Sequence, residues 1–292
     1  MEGMMTHVVL QGRERLLEGL PVDERQLDLA GVSTPILEGG KGPPLVLLHG
    51  PGEHALKWLR VLPDLVRRHR VIAPDLPGHG SSTVTHGTLE ADRVVRWLGE
   101  LLEETCPGPA TVVGHVVAGP IAAKLAASRH RRIARLVLVD TLGLVPFQPS
   151  PEFGGALGAF LAEPDEATFA GLWRYCAHDV DRVRRELGER WETFIGYSLE
   201  RVRSPEGNRA LHAIMEHFGL PAMPPSELKR IEIPVALIWG RHDLATSVSV
   251  GEQASEQYGW PLYIVEGAGD DPALEQPDGF VAALERAIRD TG

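Results

Sequence analysis

The residues best placed to do chemistry are three carboxylates late in the chain. Asp243 follows the apolar run Val235-Ala-Leu-Ile-Trp239, and Asp270 and Asp271 follow Leu262-Tyr-Ile-Val265. Two carboxylates that face each other repel, and one of them is driven toward its protonated form. The resulting acid and carboxylate would suit hydration, elimination, cyclisation or isomerisation of a small organic molecule. They would equally suit orienting a water toward an epoxide or a lactone. Asp270 is the residue of interest, with a competing role as acceptor of backbone N–H groups in its own turn. Neighbouring residues in a loop usually diverge, so one of Asp270 and Asp271 is expected to be a turn or surface group, with Asp271 otherwise an accessory to the pair. Arg241 and His242 precede Asp243 and have two open uses, binding an anionic group or pairing with Asp243. His115, beside Val116, is an accessory candidate, and His49 belongs to a His-Gly turn where a structural role is expected, with contact of its N–H to a pocket ligand as the alternative. Asp75 and His79 read as braces of a loop.

Short apolar runs alternate with helical patterns along the chain. Runs at 44–48, 70–73, 110–113, 135–139, 235–239 and 262–265 read as buried strands. Helices are expected near 55–69, 89–105, 119–128 and 279–289, with Pro63 interrupting the first. Residues 22–37 read as two edge strands that turn near Ala30-Gly31, preceded by a short helical arm carrying Leu16, Leu17 and Leu20. This alternation predicts an α/β fold with a mostly parallel sheet and helices on both faces. Such sheets place their sites beyond the C-terminal strand ends. The loops at 49–54, 75–81, 114–119, 240–243 and 267–272 are therefore the ones to inspect. The division expected is a core from 1–144, a helical insertion at 145–227 and a second core part at 228–292. Trp173, Tyr175, Tyr197 and Met215 of the insertion are candidate walls of an apolar pocket.

The formal charge of -11 over 292 residues argues against a nucleic-acid partner, which needs concentrated Lys and Arg. Cys106 and Cys176 are expected as free thiols. No spacing of His, Cys, Asp or Glu suggests a metal site, and nothing suggests a cofactor. No signal-peptide pattern and no long apolar run is seen, so the expectation is a cytoplasmic protein without a membrane partner.

Four segments in order resemble the α/β-hydrolase superfamily over roughly residues 25–290. They are the strand entering His49-Gly50 with Trp58 behind it, Ala73-Pro-Asp-Leu-Pro-Gly-His-Gly-Ser81, Val112-Val-Gly-His-Val-Val-Ala-Gly119, and Trp239-Gly-Arg-His-Asp243 with Gly267-Ala-Gly-Asp-Asp-Pro-Ala-Leu-Glu-Gln-Pro277. The resemblance implies an α/β-hydrolase fold whose helical insertion is a cap. It implies a nucleophile in a Gly-x-Ser-x-Gly turn, and that position is Val116, which can neither attack nor carry an acyl group. His115 is expected to point away from Val116. The family's acid falls on Asp243, and its base histidine is replaced by Asp270. Its oxyanion donors fall on Val117 and on Pro51, which has no N–H, with Gly52 as a substitute.

The sequence therefore points to a divergent member that performs acid–base chemistry on a small, mainly apolar metabolite without a serine nucleophile. One alternative is a catalytically silent binding or regulatory protein on the same fold. Another is a hydrolase with a displaced nucleophile at Ser81, Ser82 or Thr141.

Overall fold

The computed structural model describes residues 12–290. Nine strands form one sheet: β1 Asp23–Leu29, β2 Val32–Gly39, β3 Pro44–Leu48, β4 Arg70–Pro74, β5 Thr83–Val84, β6 Ala110–His115, β7 Ile133–Val139, β8 Val235–Gly240 and β9 Leu262–Val265. The order is β1-β2-β4-β3-β6-β7-β8-β9, with β5 beside β2. The contacts of β2 with β1, β4 and β5 are antiparallel, and the run from β4 to β9 is parallel. This is the mostly parallel sheet expected from the apolar runs. The short β5 was not foreseen, because two residues carry no periodic signal.

The sheet is buried on both sides, and the alternation along each strand shows why. In β3, Leu45 and Leu47 join one core while Val46 and Leu48 join the other. Between β1 and β2, Ala30 and Gly31 both have positive φ, the requirement of the two-residue hairpin turn that matches strand twist. The expected helix at 55–69 is split. A 3₁₀ helix covers Ala55–Arg60 and an α-helix covers Leu62–Leu65, with Pro63 in the first turn of the second piece, where no N–H is needed.

The segment between β7 and β8 is the helical cap. Its main helices are Pro151–Ala162, Glu166–Cys176, Val180–Leu187, Arg190–Arg203 and Pro205–Ile214. Local capping sets several of their starts. Ser150, Asp165, Asp179 and Ser204 each accept a backbone N–H of the first turn. Among the described residues, no helix is long and apolar enough to cross a membrane.

Candidate active site

The turn after β6 is the tightest part of the site. Val116 sits at φ 49°, a left-handed conformation that costs a β-branched residue about 1–2 kcal/mol. The strain is held rather than relaxed. Val116 N–H donates to Val139 O at 3.0 Å, and Val116 O accepts from Gly119 N and Leu142 N, each at 3.2 Å. The elbow helix Ala118–Ala127 starts immediately after. Gly114 and Gly119 let strand and helix close on each other. A Cβ at Gly114 would lie 2.7 Å from Ala118 O, and one at Gly119 would lie 1.8 Å from Thr141 Oγ1. The elbow is intact as backbone geometry, and its apex is an isopropyl group.

Val116 faces a cavity of about 430 Å³ between the sheet and the cap. Cap residues such as Phe153, Phe160, Phe169, Trp173 and Met215 make its apolar walls. Its floor is polar and includes Glu53, His115, Asp270, Asp271 and Glu275.

A fully buried lysine organises this floor. Lys57 Nζ lies 2.6 Å from His115 Nδ1, 3.0 Å from Asp271 Oδ1 and 3.3 Å from Glu53 Oε2, one hydrogen bond and two ion pairs. Burial works against this charge, but Asp271 and Glu53 raise the lysine pKa above its ordinary value. Since Lys57 donates to Nδ1, the His115 proton belongs on Nε2, which donates to Asp270 O at 2.6 Å. Burial alone would raise the Glu53 pKa, but Lys57 overrides it and holds the carboxylate below its usual range. Glu53 Oε2 also accepts the Gly50 N–H at 2.6 Å.

Asp270 has the opposite condition. Its N–H donates to Cys176 O at 2.7 Å and its carbonyl accepts from His115, so the backbone is pinned and the carboxyl is left to the cavity. Burial, reinforced by Asp243 and Asp271, pushes its pKa well above the carboxylate range. Behind it, burial lifts Asp243 to about 7 against the Thr246 and Ala245 N–H groups, which it accepts at 2.8 Å each. Asp140, at the end of β7, is raised by burial and then by Asp243, although it accepts Gly240 N–H at 2.8 Å. Burial also lifts Glu275 to about 7.

Several sequence expectations need correction. Asp243 gives its Oδ1 to its own turn, keeps Oδ2 buried without a hydrogen-bond partner, and is absent from the cavity wall. Asp271 is no surface group: it pairs with Lys57 and lines the floor. His115 does not point away from the pocket but shares its wall with Val116, whereas Val117 is packed into the core beneath the elbow helix. Arg241 is exposed and paired with Glu266 at 2.8 Å, and His242 stacks on His178 with ring centroids 3.9 Å apart. Neither Arg241 nor His242 lines the cavity. Trp173 and Met215 do line it, but Tyr175 packs on Phe153 outside the wall and Tyr197 belongs to a separate ionic cluster. His49 is a brace: Nδ1–H donates to Gly50 O at 2.8 Å and Nε2 accepts Leu76 N–H at 2.9 Å, while burial drives its pKa down to about 3. Pro51 and Gly52 do lie on the wall.

The displaced hydroxyls are also accounted for. Ser81 Oγ bonds Tyr197 OH at 2.8 Å, Thr141 Oγ1 donates to Leu142 O at 3.0 Å, and Ser82 is buried. None of the three lines the cavity. Cys176 does, but burial and then the nearby Asp270 raise its thiol pKa well above the ordinary value, which disfavours the thiolate.

Sequence reasoning missed Glu53, Lys57 and Asp140. A usable signal existed for Lys57. It interrupts the apolar run Ala55-Leu56-Lys57-Trp58-Leu59 four residues after Glu53, and a charge inside such a run is buried only with partners.

The family model described as alpha/beta hydrolase fold matches residues 43–277. The chain belongs to this alpha/beta hydrolase fold family. A pimeloyl-[acyl-carrier protein] methyl ester esterase of Aeromonas hydrophila is 34% identical over 257 residues, covering 85% of this chain and 96% of the relative. An uncharacterized protein of Mycobacterium tuberculosis is 28% identical over 270 residues, covering 86% of this chain and 77% of the relative. The crystal structure of a membrane phospholipase A superposes with a TM-score of 0.81 at 23% identity, covering 99% of this chain and 92% of that one, a likeness of fold.

Proposed function

We propose that this family member is an enzyme that performs acid–base chemistry on a small, mainly apolar molecule, without a serine nucleophile or a base histidine. One observation carries the reading. Asp270, whose carboxyl is pushed by burial and by Asp243 toward its protonated form, and Glu53, whose carboxylate Lys57 favours, line the same apolar cavity. Environments that push two carboxyl pKa values apart create an acid and a fixed anion in one site. Asp270 is the proton donor to a carbonyl, an epoxide oxygen or a departing hydroxyl, and it recovers the proton at the end of the cycle. Glu53 is too strongly stabilised as an anion to be an efficient proton acceptor. Its role is to orient a water or a substrate hydroxyl. This replaces the Asp243–Asp270 pair expected from sequence.

The same geometry disfavours serine-type acyl transfer. Val116 offers no nucleophile. Pro51, at the loop position of the family's oxyanion hole, has no N–H to give a developing oxyanion. The esterase named among the relatives supports turnover in a cavity of this family, and the residues at the floor support a different route.

The test is a panel of uncharged epoxides, enones and hydroxy ketones incubated in D₂O, followed by NMR for deuterium incorporation and mass spectrometry for gain or loss of water. Asp270→Asn is expected to lower turnover by about 10²–10⁴-fold, the usual weight of a positioned acid. Val116→Ser is expected to release no p-nitrophenol burst from p-nitrophenyl acetate. A burst from Val116→Ser, or full turnover by Asp270→Asn, would overturn the reading.

A further inference from the structure

We propose that the cavity selects an uncharged molecule, with an aromatic or alkyl body and a hydroxyl or carbonyl head, and excludes carboxylates. The proposal rests on the acid–base reading of the floor and names the substrate class that this floor accepts.

The polar lining is rich in carboxyl groups, with His115, His212, Ser198 and Thr246 as the other polar side chains. Glu53, Asp270, Asp271 and Glu275 supply carboxyl groups, and Glu216 adds another from the cap. Among the described residues that line the cavity there is no lysine or arginine. The nearest buried cation, Lys57, lies behind the floor, 2.6 Å from His115 Nδ1 and paired with Asp271 at 3.0 Å and Glu53 at 3.3 Å. An entering carboxylate would therefore meet the Glu53 and Asp271 carboxylates, themselves already beside Lys57, without a free counter-charge, in a chamber whose walls cannot hydrate it. Buried charge without a partner is strongly unfavourable.

The floor also has a hydrogen-bonding sense. A protonated Asp270 offers an O–H, and Glu53 offers only lone pairs. A hydroxyl head answers both, and a carbonyl head answers the first. An ammonium head carries donors alone. It leaves the Asp270 O–H without an acceptor, and the floor carboxylates Glu53 and Asp271 already have Lys57 as their counter-charge. The cap side adds a neutral station. Ser198 lines the wall with its Oγ 2.9 Å from Phe194 O and 3.0 Å from His54 Nε2. The carbonyl can only accept, so the hydroxyl proton goes to Phe194 O and His54 Nε2–H donates to Oγ. A serine lone pair remains for a ligand donor.

Three near-isosteric probes separate the cases: 2-phenylethanol, phenylacetate and 2-phenylethylamine, titrated into the full chain at pH 8 by protein-observed NMR. The expected result is saturable binding of 2-phenylethanol with shifts at cavity residues, and at least tenfold weaker binding of phenylacetate and of the amine. In Glu53→Gln, which removes one ion pair of Lys57, the gap between alcohol and carboxylate should shrink. Phenylacetate binding as tightly as the alcohol, the amine binding more tightly than the alcohol, or no saturable binding by any probe would each overturn the proposal. The acid–base reading fails separately. It falls if Asp270→Asn keeps full turnover while the alcohol is still preferred, and it stands if turnover is lost while the ranking of probes is reversed.

Discussion

Two buried ionic clusters lie on either side of the loop at 49–54, and they are built to opposite ends. In the first, Arg13 reaches Asp75 at 2.9 Å and Tyr197 OH at 3.0 Å and also pairs with Glu24. Asp75 further accepts Ala55 N–H and Ser81 N–H, each at 2.7 Å. This cluster joins the N-terminal arm, the core and the cap helix Arg190–Arg203, and Asp75, its central carboxylate, meets only fixed partners. The second cluster, around Lys57, is nearly as well paired, but it borders a cavity and leaves the Asp270 carboxyl facing it. A buried charge cluster whose members satisfy one another is a brace. One that leaves a perturbed acid facing an apolar chamber is a site.

The sharpest way to break this comparison is Lys57→Met. Removing the cation leaves Glu53 and Asp271 buried without their partner, and a loss of about 3–5 kcal/mol in urea unfolding is expected. The Glu53 pKa should climb, so any turnover should need a higher pH than in the parent. An unchanged pH profile would show that Lys57 braces the fold and does nothing to the site.

The next effect is confined to a pH window. Asp243 has a folded-state pKa of about 7 against an ordinary 3.8. The folded state then holds a proton that the unfolded state has released, so stability falls as pH rises from about 4 to about 7 and is level beyond. Asp243→Asn keeps an oxygen for the Ala245 and Thr246 N–H groups and removes the charge. It should unfold later than the parent at pH 8 and nearly with it at pH 4, by thermal melts at the two values. Equal shifts at both would remove the repulsion among Asp140, Asp243 and Asp270 from the account.

The smallest effect is expected at the brace. Arg13→Met should cost about 1–3 kcal/mol, because Asp75 keeps its two backbone donors. The pH dependence of turnover should stay where it was. A shifted profile would mean that the two clusters are coupled through the intervening loop.

The sequence alone determined the fold. Six apolar runs with helical segments between them admit few arrangements, because a strand without polar residues must be covered on both faces. The resemblance to the family's motifs placed Val116 at the elbow apex and Asp270 in the late loop. Tertiary structure decided the site. Asp243 and Asp270 are both terminal to neighbouring strands, yet the N–H groups of Ala245 and Thr246 capture one carboxylate and none captures the other. Glu53 and Lys57 carry no motif, and their role depends on a loop and the 3₁₀ helix after it, which bring Lys57 against His115 and Asp271, 58 and more than 200 residues away. Pattern along the chain reports which face of an element is buried. Which charges meet there, and which one is left facing an open chamber, depends on contacts between elements distant in sequence.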